Sequence, residues 1–313
     1  MAVSRASDGE KALKAFGWQA VALNVPPDWE LAYTRGSRET GRVRLTDGES
    51  VRLELDWRTD RGVASPAAVA GLFLAKQARK ARRNGTAFDV QRGLNLAHPP
   101  GMDVECYRCV GPRQVLAMVS RCRECRRLVH LQILGARDDS LRSLARRVFS
   151  SLRDHPDEGV CRWSIFDVRL QTPERLRLAE SSLQSGRIRL SFARGPSRLE
   201  FTRVSLADVL LARQSLADWF RTMHARRLRR RRFVVEEAPV RGHAGLRVHG
   251  RRRLLLDPGR PVGRGRVLRA ACWHCEETNR LFLCAFDGLA RDLAWFEPAV
   301  EAFECCDGGE ATR

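Results

Sequence analysis

Cysteine is the residue type in this chain best equipped for chemistry, and its spacing is informative. Cys106-x-x-Cys109 and Cys122-x-x-Cys125 are separated by 12 residues. Two pairs so placed are the pattern of a four-thiolate zinc site. Two intervening residues let a tight turn aim both sulfurs at one ion, with each Zn–S bond about 2.3 Å long. The neighbouring Arg108, Arg121, Arg123 and Arg126 favour the thiolate form that a metal needs. One feature opposes this local site. Residues 103–110 also read as a strand, on which Cys106 and Cys109 would face opposite ways. A second arrangement uses Cys272-x-x-Cys275, which stands like Cys122 and Cys125 at a turn between two apolar strands. Cys122, Cys125, Cys272 and Cys275 would then share one ion across a pseudo-two-fold axis. The alternative to metal is plain packing, because free cysteine behaves as a small hydrophobe. That is the reading for Cys161 and Cys284, and adjacent Cys305-Cys306 receive no role from spacing. A thiol-disulfide redox role is a third reading. It is disfavoured because the pairs precede strands instead of opening a helix. A closed four-thiolate zinc site is structural, which points away from an enzyme.

The other chemistry-bearing residues form few patterns. The seven histidines include no paired metal motif, and His274, between Cys272 and Cys275, is a possible substitute ligand. No phosphate-cradling Gly-x-x-x-x-Gly-Lys loop and no Gly-x-Ser-x-Gly elbow occurs. Glu276-Glu277 reads as a solvated turn, and the glycine-rich stretch 259–265 reads as a loop. Arginine is more suggestive. The formal charge is +19, and only four of the 56 basic residues are lysine. Such a skew follows from codon bias as readily as from phosphate binding. Arg226, Arg227, Arg229, Arg230, Arg231 and Arg232, with Arg251, Arg252 and Arg253, are the anion-binding candidates. Aromatic interleaving for base stacking is missing, so the expected partner is a nucleic-acid backbone, read through phosphate, or an acidic protein.

The elements that must position these residues run twice along the chain. Trp18, Pro26-Pro27 and Gly41-Arg42-Val43-Arg44-Leu45 in the first copy match Trp163, Pro173 and Gly186-Arg187-Ile188-Arg189-Leu190 in the second. Each copy reads as a strand, a hairpin, a long helix ending in positive charge, more antiparallel strands and a closing helix. Thr46-Asp47-Gly48 supplies the first hairpin turn. Ser65-Pro66 opens the first helix, which ends near Asn84-Gly85. Ser205 with Asp208 opens a second helix carrying Leu206, Val209, Leu210, Leu216, Trp219 and Phe220. Closing helices are expected near 139–153 and 289–303. The predicted fold class is therefore α+β: two tandem repeats, each an antiparallel sheet covered by helices.

This element order, with its Trp and Pro opening, resembles the Mog1/PsbP/DcrB-like fold. That resemblance implies a binding or assembly role and carries over no functional residue. The predicted organisation is a polar lead-in at 1–15, repeats at 16–157 and 158–306, and a flexible tail at 307–313. No apolar run reaches the ~20 residues of a membrane span. The first ten residues lack an apolar export core, so the expected location is the cytoplasm. The expectation is a non-catalytic binding or assembly protein with zinc and a basic surface. A metal-free protein-interaction scaffold is the alternative.

Overall fold

The computed structural model describes residues 12–59, 62, 64–156, 158–229, 231–252 and 266–306, with the side chains at 226, 227, 231 and 252 outside the description. Most of the lead-in, the tail from 307 and the loop at 259–265 thus lie outside the described residues. The chain divides into two compact units. The first is Met1–Asp157 with Arg162–Phe166, and the second is Glu158–Cys161 with Asp167–Arg313.

The first unit begins with β1 (Lys14–Trp18) and β2 (Val21–Val25), a hairpin turned at Gln19 and Ala20, both of positive φ. There follow β3 (Glu30–Gly36), β4 (Thr40–Thr46), β5 (Val51–Thr59) and α1 (Pro66–Arg83). Then come β6 (Asp89–Arg92), β7 (Met102–Val110), β8 (Gln114–Cys122), β9 (Arg127–Gly135) and α2 (Arg142–Ser150). The seven strands from β3 form one antiparallel sheet in the order β3-β4-β5-β9-β8-β7-β6. Local chemistry explains the hairpin at Asp47. Its carboxylate accepts from the backbone of Glu49 and Ser50, at 3.0 and 2.8 Å, while Gly48 takes φ +93°. On β5, Leu53, Leu55 and Trp57 are buried, and Arg52, Glu54 and Asp56 occupy the other face. Ser65 caps α1, its hydroxyl accepting from the Ala68 amide at 3.2 Å. Ala70 and Leu74 of α1 pack on Tyr107, Cys109, Ala117, Val119 and Leu128. β10 (Val160–Ile165) has Arg162–Ile165 in this unit, where Gly17 pairs with Ser164. There Trp18 and Trp163 meet edge to face at 5.4 Å.

The second unit holds β11 (Val168–Pro173), β12 (Arg177–Gln184), β13 (Arg187–Arg194) and β14 (Ser197–Ser205). After them come α3 (Ala207–Leu211), α4 (Leu216–Met223), α5 (Ala225–Leu228), β15 (Arg231–Glu237), β16 (Gly245–Arg252), β17 (Arg266–Cys275) and β18 (Arg280–Leu289). A 3-10 turn at Ala290–Trp295 and α6 (Phe296–Glu301) close it. Its antiparallel sheet runs β12-β13-β14-β18-β17-β16-β15, the order of the first sheet with every strand number raised by nine. Trp219 and Phe220 of α4 pack on Leu246, Val248, Leu268, Ala270 and Cys272. Phe303, beyond α6, packs edge-on against Phe201, Trp273 and Phe282 of this sheet.

The expected α+β class is overturned. Strand makes up 51% of the described residues and helix 20%. Only α1, at 18 residues, exceeds nine residues among the described helices. Seven strands about 4.8 Å apart make a sheet roughly 30 Å wide, three times the ~10 Å diameter of a helix. One helix therefore shields only part of a face. The helix predicted from Ser205 is broken: Leu206 takes φ +60°, and Ser215 caps a fresh helix by accepting from the Asp218 amide at 3.1 Å. The edge strands β6, β12 and β15 add to the sheet content. Residues 89–92 are all exposed, so β6 has no apolar alternation to betray it. Among the described residues no helix is long and apolar enough to cross a membrane.

Candidate metal centres

In the first unit the β8–β9 hairpin brings Cys122 and Cys125 to one end of the sheet. Cys122 is the last residue of β8, and Arg126 turns the chain with φ +57° while its amide donates to the Cys122 carbonyl at 3.2 Å. The chain leaving α2 supplies the other side. Arg153 exchanges backbone hydrogen bonds with Ala22, at 2.7 and 2.8 Å, which pins this segment beside β2. The next two residues, Asp154 and His155, then face the thiols. Cys125 Sγ donates to Asp154 Oδ2 at 3.0 Å, His155 Nδ1 lies 2.9 Å from Asp154 Oδ1, and Cys122 Sγ lies 3.7 Å from His155 Nδ1. Each residue has one donor atom within 4.8 Å of the other three. Asp154 is 1% exposed. Burial first, and then Asp154, push the Cys125 thiol well above its usual range. Beneath them Arg127 is buried, and its guanidinium donates to the backbone carbonyls of Asp154, Ala20 and Arg38. Burial pulls its pKa down from the usual arginine value.

The second unit builds its centre from corresponding elements. Cys275 is the last residue of β17, as Cys122 is of β8. Glu304 donates its amide to the Arg169 carbonyl of β11 at 2.9 Å, as Arg153 bonds to Ala22 of β2. Cys305 and Cys306 follow that bridge, as Asp154 and His155 follow theirs. The fourth donor differs. His243 sits in the tight β15–β16 turn, where Val240 and His243 exchange 3.0 Å backbone bonds and Arg241 and Gly242 take positive φ. His243 Nε2 lies 3.2 Å from Cys305 Sγ and 3.7 Å from Cys306 Sγ, and those sulfurs are 3.7 Å apart. His243, Cys275, Cys305 and Cys306 again meet within 4.8 Å. Burial, and then Cys305, push the Cys306 thiol up to about 12. Both groups are composed of residue types that hold metal ions.

The sequence-predicted ligands are therefore dispersed. Cys122 and Cys125 belong to the first group and Cys275 to the second. Cys106 and Cys109 lie along β7, opposite Met118 and Val115, while Met102 is the residue opposite Cys122. Four residues of strand, roughly 13 Å, separate Cys106 from the level of Cys122. Burial, aided by Glu105, raises the Cys106 thiol to about 12, and burial raises Cys109 to about 11. Cys272 is in the core under α4. His274 lies 3.7 Å from Asp208, away from the sulfurs. Spacing missed Asp154, His155, His243, Cys305 and Cys306. A usable signal existed: Asp154-His155 and Cys305-Cys306 both follow a closing helix in their copy.

Of the arginine candidates, Arg229 caps α5, and Arg232 on β15 stands directly opposite Arg251 on β16. Arg231 pairs in register with Arg252, and His249 with Arg269. Arg230 and Arg253 lie outside the described residues, as do the side chains of Arg226, Arg227, Arg231 and Arg252.

No family model and no curated protein matches the chain. Among solved structures it is similar to the immunity protein TplEi of the T6SS from Pseudomonas aeruginosa, complexed with "L" peptide, at 12% identity and TM-score 0.31, over 93% of this chain and 96% of that one. It is also similar to the WD40 domain of SCAP from fission yeast, at 7% identity and TM-score 0.14, over 85% of this chain and 63% of that one. Likeness at this level carries no argument about function.

Proposed function

We propose that this chain is a non-catalytic binding protein whose two sheet units are each stapled by a zinc ion, and that its basic face meets an anionic partner. The carrying observation is that the last strand hairpin and the segment after the last helix converge on a metal-type donor set in both units. Three thiols with one imidazole, as at His243, Cys275, Cys305 and Cys306, is a common structural zinc set. Cys122, Cys125, Asp154 and His155 offer sulfur, oxygen and nitrogen of the same repertoire. With four protein donors each, the sites keep no open position for a substrate. All ten cysteines are free thiols, which suits a reducing compartment such as the cytoplasm.

The basic face is supported by a cost. Like charges directly opposite on adjacent strands destabilise a sheet, yet Arg232 stands opposite Arg251. An anion bridging this pair offsets its repulsion, and phosphate backbone is the occupant this reading favours. Metal analysis of the protein purified without chelator tests the zinc half. Two zinc per chain are expected. His155→Ala and Cys275→Ser should each retain one, and Cys106→Ser should retain two. Less than one equivalent in the unmodified protein overturns it. Retention on heparin or nucleic acid that is insensitive to salt, or absent at low salt, overturns the anionic half.

A further inference from the structure

We infer that the first unit carries a site for a short aliphatic carboxylate, between the start of α2 and the β7–β8 part of its sheet. A cavity of about 250 Å³ lies there, with Leu94, Leu96, Leu116 and Leu141 as its apolar lining and Arg108 and Arg142 as its basic groups. Arg108 and Leu116 stand opposite each other in register, so they project from one face. That face is turned away from α1, which packs on Tyr107, Cys109 and Ala117. The chain after β6 closes one side, held by the Leu94 amide donating to the Cys106 carbonyl at 3.0 Å. Gln91, Ser140 and Arg142, which also line the cavity, are exposed and connect it to solvent.

Charge and size define what would fit. Arg108 is half-buried, and its Nε donates to Gln114 Oε1. Gln114 is itself buried and fixed from its other end, where Nε2 donates to the Asp139 carbonyl at 2.6 Å. The guanidinium is thus held in place by one edge, and neither of its Nη groups has a partner among the described residues. Asp139 does not neutralise it. The Asp139 carboxylate accepts from the Ala136 amide at 2.7 Å and lies 3.6 Å from Arg52 of β5, which also pairs with Asp47. Arg52, Arg108 and Arg142 thus stand against Asp47 and Asp139, three guanidiniums against two carboxylates. A monoanion balances that group, and a half-buried guanidinium gains from an anion that shares its desolvation. The free fork of Arg108 matches the two oxygens of a carboxylate. The leucines call for an apolar body behind it. The volume exceeds the ~150 Å³ of an apolar cavity that takes up benzene, and at about 30 Å³ per water-sized group it holds on the order of eight heavy atoms. A carboxylate on a five- or six-carbon aliphatic chain has that size.

Ligand-observed NMR titration with 4-methylpentanoate, its isosteric amide and acetate tests this. Saturable binding of 4-methylpentanoate is expected with half-saturation at about 1 mM or below, as so small a ligand allows. The neutral amide and the bodiless acetate should each bind about tenfold or more weakly. Arg108→Ala should abolish the preference for carboxylate over amide, and Arg108→Lys, which keeps the charge but not the fork, should retain part of it. Leu94→Trp, which fills the cavity and leaves both arginines in place, should abolish binding of all three. No saturation by about 10 mM 4-methylpentanoate, equal affinity for the amide, or an undiminished preference in folded Arg108→Ala overturns the proposal. Should Arg108→Ala fail to fold, undiminished binding by Leu94→Trp overturns it instead. The zinc and arginine-pair readings stand or fall separately, since none of their residues lines this cavity.

Discussion

Arg127 and His130 show how single side chains set the first unit. Arg127 opens β9 and spends its guanidinium on three backbone carbonyls, among them that of Asp154. Arg127→Leu strands those carbonyls. Hydrogen bonds to a charged group contribute about 1.5–3 kcal/mol each, so a loss of about 3 kcal/mol or more is expected in denaturant midpoints. Metal content should fall by the one equivalent of the first unit. An unchanged midpoint would refute the positioning role. His130 lies beneath α1, where Tyr107 Oη meets its Nε2 at 2.7 Å and the Phe73 ring lies edge-on at 4.7 Å. Burial holds its pKa at about 4, below the ordinary 6.5. The unfolded chain therefore takes up the proton first as pH falls. The stability tied to neutral His130 is complete above about pH 6.5 and is lost between there and pH 4, by up to about 3 kcal/mol. His130→Gln should flatten that part of the stability curve, and an unaltered slope would exclude the ring as its source.

Elements, and not local motifs, assemble the two metal-type groups. Cys122-x-x-Cys125 was legible because one hairpin turn carries both thiols. Asp154 and His155 were not, because they reach the thiols only after α2 has crossed back to β2. His243 and Cys275 meet because β16 and β17 pair in the register that puts Gly245 opposite Trp273. Cysteine spacing cannot report sheet register. The strand pairing likewise separates Cys106 from Cys122. The matching Gly41 and Gly186 illustrate the same limit. Gly186 supplies a turn with φ +80°, whereas Gly41 lies inside β4, where an added Cβ would come within 2.2 Å of the Trp57 ring. Trp57 is also held by a 3.0 Å bond from its indole to the Ser37 carbonyl. Gly41→Ala should therefore cost about 1–3 kcal/mol by overpacking, and Gly186→Ala should cost about 1 kcal/mol through its left-handed backbone. Equilibrium unfolding of the two variants checks both, with a change in Trp57 fluorescence expected only for Gly41→Ala.

At the scale of the whole molecule, two seven-stranded sheets share one strand order, and each carries a donor cluster at the end of its last hairpin. If zinc occupies both, chelation removes binding free energy from the folded state. The loss would be about 4 kcal/mol per site where free zinc stands a thousandfold above its dissociation constant. Thermal unfolding with and without chelator checks this. A melting temperature indifferent to chelator would count against the staples. The sequence by itself determined the central strands, the Asp47 turn, α1 with its Ser65 cap, and the pairing of Cys122 with Cys125, because each depends on side chains a few residues apart. Only the tertiary structure decided that the fold is mainly β, that polar edge strands widen both sheets, and that Asp154, His155, His243, Cys305 and Cys306 complete the clusters. Those outcomes rest on strand register and on where a helix returns the chain, which are set by packing across distant residues and leave no local pattern.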